Sequence, residues 1–351
     1  MTGVEPTLSL ADARALWEPE RPYLNTASFG LPPRPAWEAL QTALDEWRHG
    51  RTSWEHWNDA TDRAREAFAR LVGIPTERVA AGSTVSTFVG VLAAAIPDGA
   101  RVVVPDIDFA SLLFPFLVHE QRLDVVTVPL TRLADAVDEL TDVVAFSAVQ
   151  SSNGAVADLD AVLRAAAANE ALTIVDGTQA CGWLPLDASR VDALVCANYK
   201  WLMSPRGTAF LALSERLQER VEPLLAGWYA GDDPHSSYYG RPLRVAGSAR
   251  RLDTSPAWFN FVAAAPALET LLAIGVEAVH EHDVTLANRF RAGLGLPLSN
   301  SAIVSTDVPS AAERLSAAGI LTSVRAGSLR ASFHLYNTEA DVDAALAALL
   351  G

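Results

Sequence analysis

Cysteine is nearly missing from these 351 residues: only Cys181 and Cys196 occur, and neither belongs to a CxxC pair. Two such residues cannot build a disulfide framework or a zinc knuckle, so no metal site is expected, and a reducing cytoplasm suits them best. Positive charge is also scarce. There are 27 Lys and Arg against 42 Asp and Glu, a formal net charge of −15, with no basic run. A nucleic-acid partner needs a cationic footprint for the phosphate backbone, so that class is set aside, and the acidity reads as a solvated surface. No run of about 18 apolar residues exists, so no membrane-spanning helix is expected. The amino-terminal stretch MTGVEPTLSLADARALWEPERP lacks a basic segment followed by an apolar one, so no secretory signal is expected. No GxGxxG follows the first strand, which argues against a dinucleotide-binding enzyme.

What is present is an alternation. Short β-branched runs stand at 101–105 (RVVVP), 124–128 (DVVTV), 142–147 (DVVAFS), 172–176 (LTIVD), 192–196 (DALVC) and 208–213 (TAFLAL). Near-continuous apolar runs of this length suit strands covered on both faces, as in a parallel sheet. Helix signals lie between them: Asp158 caps the Ala-rich DLDAVLRAAAANE, and Ser83 and Thr84 precede STFVGVLAAAI. The expected fold is α/β, with a large doubly wound, mainly parallel domain over residues 31–245. After about residue 245 the pattern changes to two long helical stretches (258–274 and 276–294), the runs AIVST and LRASFH, and a last helix from Thr338. This is expected to be a smaller α+β domain, formed by 246–351 together with 1–30. The stretch 226–242, dense in Gly, Pro and Asp, reads as a long loop.

Three features of the large domain carry chemistry. AAGSTVSTF (80–88) reads as a small-residue turn feeding a helix, where backbone N–H groups and the hydroxyls of Ser83 and Thr84 can seat a phosphate; the same residues also make an ordinary cap. LTIVDGTQ puts Asp176 at the carboxyl end of a buried strand, where open α/β sheets bind ligands. There an acid can cap a helix, hold a metal or pair with a protonated ring nitrogen. CANYKWLMSPRGTAF sets Lys200 between two strands in apolar surroundings, where desolvation lowers an amine's pKa and makes it a Schiff-base nucleophile. A snorkelling lysine at a strand end is the plainer alternative. Taken together, a phosphate seat, a ring-nitrogen acid and an aldehyde-binding amine are what pyridoxal 5'-phosphate requires.

With these residues in view, the chain resembles the class V aminotransferases, the family of cysteine desulfurases, isopenicillin epimerase-like enzymes and kynureninase relatives. The resemblance runs from YLNTASFG (23–30) to LRASFHLYNT (329–338) and is strongest over TIVDGTQACGWLPLD and YKWLMSPRGTAF. It implies the fold-type I architecture and a homodimer with sites at the subunit interface. It also implies a PLP-dependent aminotransferase or lyase acting on an amino-acid substrate. By position, Lys200 would bind the cofactor covalently, Asp176 would face the ring nitrogen, and Gln179 the phenolic oxygen. Ser83 and Thr84 would hold the phosphate, joined across the dimer by Ser255 of RLDTSPAW. Arg330 would clamp the substrate α-carboxylate, and Asn25 would lie near the substrate.

Several positions depart from the family pattern. Phe109 falls where desulfurases place a ring-stacking histidine; a phenyl ring can stack but cannot relay a proton. Ser151 replaces a frequent Asn, Ala197 a phosphate-binding Ser, and Tyr199 a frequent His. Arg206 and His235 are further candidates for substrate contact, whereas Trp228, Tyr229 and Trp258 read as packing. Persulfide-forming desulfurases use a mobile cysteine shortly before the carboxylate-binding arginine, and GILTSVRAGSLR (319–330) has none. The expectation is therefore an aminotransferase or a C–S lyase. An epimerase or desulfurase-like activity and a non-catalytic relative that keeps the fold for binding or regulation are the alternatives.

Overall fold

The computed structural model describes residues 7–351. Residues 1–6, which the sequence reading joins to the small domain, lie outside the described residues. Helices α1 (Leu10–Arg14), α2 (Arg34–Arg48) and α3 (Trp54–Leu71) precede strand β1 (Val79–Gly82). There follow α4 (Val85–Ala95), β2 (Arg101–Pro105), α5 (Ala110–Leu117), β3 (Asp124–Val128), α6 (Leu133–Ala136) and β4 (Val143–Ser147). Next come α7 (Leu159–Ala168), β5 (Leu172–Asp176), β6 (Ala193–Ala197), β7 (Ala209–Leu213) and α8 (Glu215–Gln218). The chain ends with α9 (Trp258–Ile274), α10 (Val276–Gly293), β8 (Ile303–Thr306), α11 (Ala311–Ala317), β9 (Ser323–Arg325), β10 (Ser328–Ser332) and α12 (Glu339–Leu350).

The first seven strands form one sheet in the order β1-β7-β6-β5-β4-β2-β3. Neighbours from β6 to β3 pair in parallel, while β7 is antiparallel to both β6 and β1. Two reversals cancel, so β1 runs with β6. The carboxyl ends of β1, β2, β4, β5 and β6 therefore all open on one edge, which is where this class of sheet leaves a crevice. Residues 80–82 are a correction to the sequence reading: they belong to β1 rather than to a turn. Ala-Ala-Gly carries no β-branched signal, yet all of β1 is buried and its pairing with β7 supplies the order that propensity does not.

Both faces of this sheet are covered except at its edge strand β3, which is half-exposed. Val103, Val144, Phe146, Val175, Leu194 and Phe210 point into a core shared with α3, α7 and α9. Val102, Val104, Val143, Ala145, Ile174 and Val195 point into a second core under α4 and α5. Alternate residues thus go to opposite cores, and each buried Val or Ile contributes roughly 1.5–3 kcal/mol. This two-sided burial is why the strands read as continuous apolar runs. Helix α9 is apolar on most sides because it lies against both α2 and α3. No single helix among the described residues is long and apolar enough to cross a membrane.

The second sheet is antiparallel, in the order β8-β10-β9. It shares a core with α10, α11 and α12, and Leu24 of the amino-terminal segment lies in that core. Helix α12 begins with a reciprocal cap, in which the Thr338 hydroxyl accepts from Asp341 N–H and the Asp341 carboxylate accepts from Thr338 N–H.

A buried ion pair ties the helical layer to the sheet. Arg65 on α3 donates to Asp253 at 2.7 and 3.1 Å and to the Val79 carbonyl at 2.8 Å, and Asp253 also accepts from Ala81 N–H at 2.7 Å. Removing one partner strands the other charge in the interior. Arg65→Met is therefore expected to cost about 3–5 kcal/mol, read as a lowered urea midpoint. A change below about 1 kcal/mol would show that the pair is not structural.

Candidate active site

Two ionisable groups stand on the crevice floor. Asp176 ends β5 and is 4 % exposed; Lys200 follows β6 and is 5 % exposed. Burial pushes the Asp176 carboxyl up to about 6, against the hydrogen bond its Oδ1 accepts from Thr178 N–H at 2.8 Å. Burial likewise pulls the Lys200 amine down to about 8, against the attraction of Asp176. The two influence each other electrostatically but form no direct ion pair, and Lys200 Nζ finds no hydrogen-bond partner among the described residues. The space between an amine and an acid is left open.

The backbone around Lys200 is fixed from several sides. Gly30 N–H donates to the Tyr199 carbonyl at 2.9 Å. A Cβ on Gly30 would sit 1.9 Å from the Lys200 carbonyl oxygen, so the YLNTASFG segment can reach the loop only with glycine there. Gly182, at φ +103°, backs onto the Trp201 carbonyl in the same way. The Trp201 indole donates to Gln179 Oε1 at 2.8 Å, and its carbonyl faces His334 Nε2 at 3.1 Å. His334 in turn meets Asp283 of α10 at 2.7 Å, so the small sheet and its helices hold the lysine loop.

Around this floor one cleft is lined by Ser83, Thr84, Phe109, Ser151, Asp176, Gln179, Ala197, Tyr199, Lys200 and Arg206. All lie at or just beyond the carboxyl ends of β1, β2, β4, β5 and β6 or precede β7. Thr84 is the N-cap of α4, its hydroxyl accepting from Thr87 N–H at 3.2 Å. Phe109, 45 % exposed, covers the floor with Lys200 Nζ 5.4 Å from its ring centre, and the Tyr199 ring lies 5.6 Å from the same nitrogen. The Arg206 guanidinium also lies over Tyr199, 5.1 Å from its ring centre. The Gln179 amide is already engaged: its nitrogen donates to the Ala27 carbonyl at 3.0 Å and to Ser151 Oγ at 3.2 Å.

Arg330 on β10 stands behind Ser151 and is 1 % exposed. It donates to the Ser151 carbonyl and hydroxyl and, at 2.8 Å, to Ser28 Oγ, while its Nε has no partner among the described residues. Burial, with Arg325 nearby, draws this guanidinium down to about 10. No carboxylate pairs with it among the described residues. Asn25 bridges to Ser332 on the same strand and also keeps a buried, unpartnered Oδ1. Ser255 is exposed and does not line the cleft. His235 packs on Trp54, ring centres 4.7 Å apart, within the aromatic group that includes Trp228 and Trp258 and lies away from the cleft.

Sequence reasoning missed several groups. Ser86, Ser111, Ser147 and Thr178 also line the cleft. Asp108 accepts from Phe109 N–H at 2.6 Å, Ser147 N–H at 2.8 Å, Ser147 Oγ and Gln150 Nε2, and so fixes the aromatic cover to β4. One signal for the site lay in plain composition: of the 27 cationic residues 26 are arginine, and Lys200 is the only lysine. Arginine stays charged at any physiological pH, so it cannot serve where a neutral amine is required.

Pyridoxal phosphate is a flat aldehyde with a basic ring nitrogen and a dianionic tail. Its needs match this donor set: hydroxyls at the start of an 11-residue helix, an aromatic cover, a buried acid and a partner-free amine with room between them.

The class-V aminotransferase family model matches residues 47–314, more than half of the chain. Among curated proteins, the uncharacterized aminotransferase YcbU of Bacillus subtilis is 27 % identical over 331 residues, 88 % of each chain. Kynureninase of Deinococcus radiodurans is 29 % identical over 287 residues, covering 76 % of this chain and 70 % of its own. Among solved structures, the cystine C–S lyase C-DES superposes with a TM-score of 0.84 at 20 % identity, covering 94 % of this chain and 97 % of that one. The cysteine desulfurase CsdA of Escherichia coli gives 0.82 at 20 % identity over 97 % of both. At these identities the superpositions establish a common fold.

The buried amine has a consequence for stability. With the Lys200 pKa near 8 in the folded apoprotein and 10.5 unfolded, the unfolded state binds more protons between those values. Stability therefore rises with pH across that window, and below it the folded state carries the full cost of a buried ammonium, roughly 3 kcal/mol. Apoprotein Lys200→Met is expected to melt higher than the unaltered apoprotein at pH 7, with an advantage that shrinks by pH 10. A pH-independent difference would place the effect in packing.

Proposed function

The chain belongs to the class V aminotransferase family, and on that premise we propose that it is a pyridoxal phosphate-dependent enzyme acting on an α-amino acid, with Lys200 as its covalent anchor and proton carrier. The observation that carries this reading is the pairing of Lys200 and Asp176: both buried, each shifted toward neutrality, and not in contact. A structural lysine in such a place would close onto the acid.

Bound pyridoxal phosphate supplies an electron sink that acidifies the Cα–H bond of an amino acid. The residues divide the remaining work. Lys200 Nζ, close to its protonation midpoint near neutral pH, can take the Cα proton and return it. Asp176 holds a proton on the ring nitrogen. Phe109 covers the ring face and, having no ionisable atom, leaves proton transfer to Lys200. Ser83 and Thr84 hold the phosphate, with Ser255 of a partner subunit completing that seat in a homodimer. Ser255 is free on the surface, as that role requires. Arg330 binds the α-carboxylate through its unpartnered edge.

Transamination or bond cleavage at Cβ fits these residues better than persulfide transfer. The two cysteines, Cys181 and Cys196, are buried in the core of the sheet, and burial holds the Cys196 thiol well above its ordinary range. Neither can act as an exposed thiolate that receives sulfur.

The test is the visible spectrum of the purified protein with and without borohydride. The unaltered protein is expected to be yellow and to carry one reduced cofactor on the Lys200 peptide, an assignment made simple by the single lysine. Lys200→Ala should lose both band and label. A protein that stays colourless when pyridoxal phosphate is added would overturn the proposal. Keto acid, pyruvate or sulfide release from a panel of amino acids then identifies the reaction.

A further inference from the structure

Two guanidiniums converge on one hydroxyl within electrostatic reach of Lys200. Arg330 Nη2 donates to Ser28 Oγ at 2.8 Å, and Arg325 Nη2 donates to the same oxygen at 3.2 Å. The two nitrogens can therefore be no more than 6.0 Å apart. The β9–β10 hairpin sets this spacing, since Arg325 stands opposite Ser328 and Arg330 opposite Ser323 in its register. Neither arginine has a carboxylate within 4 Å among the described residues. Elsewhere arginines of this acidic chain find acids readily, as Arg63 does with Glu269, Arg289 with Asp343 and Arg216 with Asp192.

Like charges held this close repel, and a fold with 42 acidic residues has ample means to neutralise them. Both also bear on Lys200, whose amine they make harder to protonate. An amino acid whose α-carboxylate is its sole anionic group would satisfy Arg330 and leave Arg325 uncompensated. The two are placed differently as well: Arg330 is buried with its Nε free, whereas Arg325 is exposed on the hairpin at the outer side. An α-carboxylate held next to Lys200 would go to the inner arginine, and the rest of the substrate would extend toward the outer one.

We propose that the substrate carries a second anion on its side chain, with the α-carboxylate on Arg330 and the side-chain carboxylate, or an equivalent oxyanion such as a sulfinate, on Arg325. This rests on the reading of the cleft as an amino-acid site and adds the class of amino acid. The spacing at Ser28 limits the side chain to a short one, such as that of aspartate or glutamate. The pair also provides local positive potential that draws an acidic amino acid, itself net negative, toward a molecule of net charge −15.

The experiment titrates the pyridoxal phosphate-loaded protein with L-aspartate against L-asparagine, L-glutamate against L-glutamine, and cysteine sulfinate, following the visible band and the heat of binding. The acids are expected to bind about tenfold tighter than their amides or better, a preference that weakens with salt. In Arg325→Gln acid and amide should bind alike, and in Arg325→Glu the order should invert. Arg330→Gln should weaken every amino acid. Equal binding of acid and amide by the unaltered protein, or a preference that survives Arg325→Gln, would overturn the second-anion assignment and leave the amino-acid site standing. If no amino acid moves the band or releases heat, the amino-acid reading falls and this inference with it.

Discussion

An ammonium removed from water without a partner is costly enough that it sheds its proton instead, and Lys200 sits near that limit. Its amine is buried, has no hydrogen-bond partner among the described residues and is drawn down to about 8. Much of the surrounding structure keeps it so. Asp176 is close enough to act on it but does not contact it, and is itself pushed up to about 6 by the same dry floor. Arg330 and Arg325 add positive potential that opposes protonation of the amine. If Asp176 closed onto the amine, the result would be a stable ion pair and a chemically inert lysine.

Holding an amine in that condition requires a stiff backbone, and the fold supplies it from parts far apart in sequence. Gly30 of the amino-terminal segment, Gln179 and Gly182 after β5, and His334 after β10 all bear on residues 199–201. His334 is itself tied to Asp283 on α10. The small sheet therefore acts on the cleft both by presenting Arg330 and Arg325 and by fixing the loop that carries the amine.

This division explains what could be read in the sequence and what could not. The central strands were legible because burial on both faces leaves β-branched runs with little polar interruption; β2 and β5 begin and end where those runs do, and the half-exposed edge strand β3 was legible from its Val-rich run alone. β1 was missed because Ala-Ala-Gly has no such signature and owes its extended form to pairing with β7. Asp176 and Lys200 stood out because each follows a recognisable strand. Asp108 did not, since its importance lies in bonds to Ser147 and Gln150 some forty residues on. Arg325 was equally hidden: only the hairpin register and a shared contact with Ser28, nearly three hundred residues earlier in the chain, bring it beside Arg330. Local pattern reveals elements, whereas pairings across the chain appear only after folding.

Amino-acid usage carries one further piece of the argument. A chain with 26 arginines and one lysine has made a choice at every cationic position. Arginine serves the surface ion pairs, the buried anchor at Arg65 and the anion-binding edge at Arg330, where a permanent charge and a planar fork are useful. At position 200 permanence would be a defect, because an amine that must both hold an aldehyde and move a proton has to exist in two states near neutral pH. The environment then sets the balance between those states, and the same burial that destabilises the charged form in the folded apoprotein makes the neutral form available for chemistry.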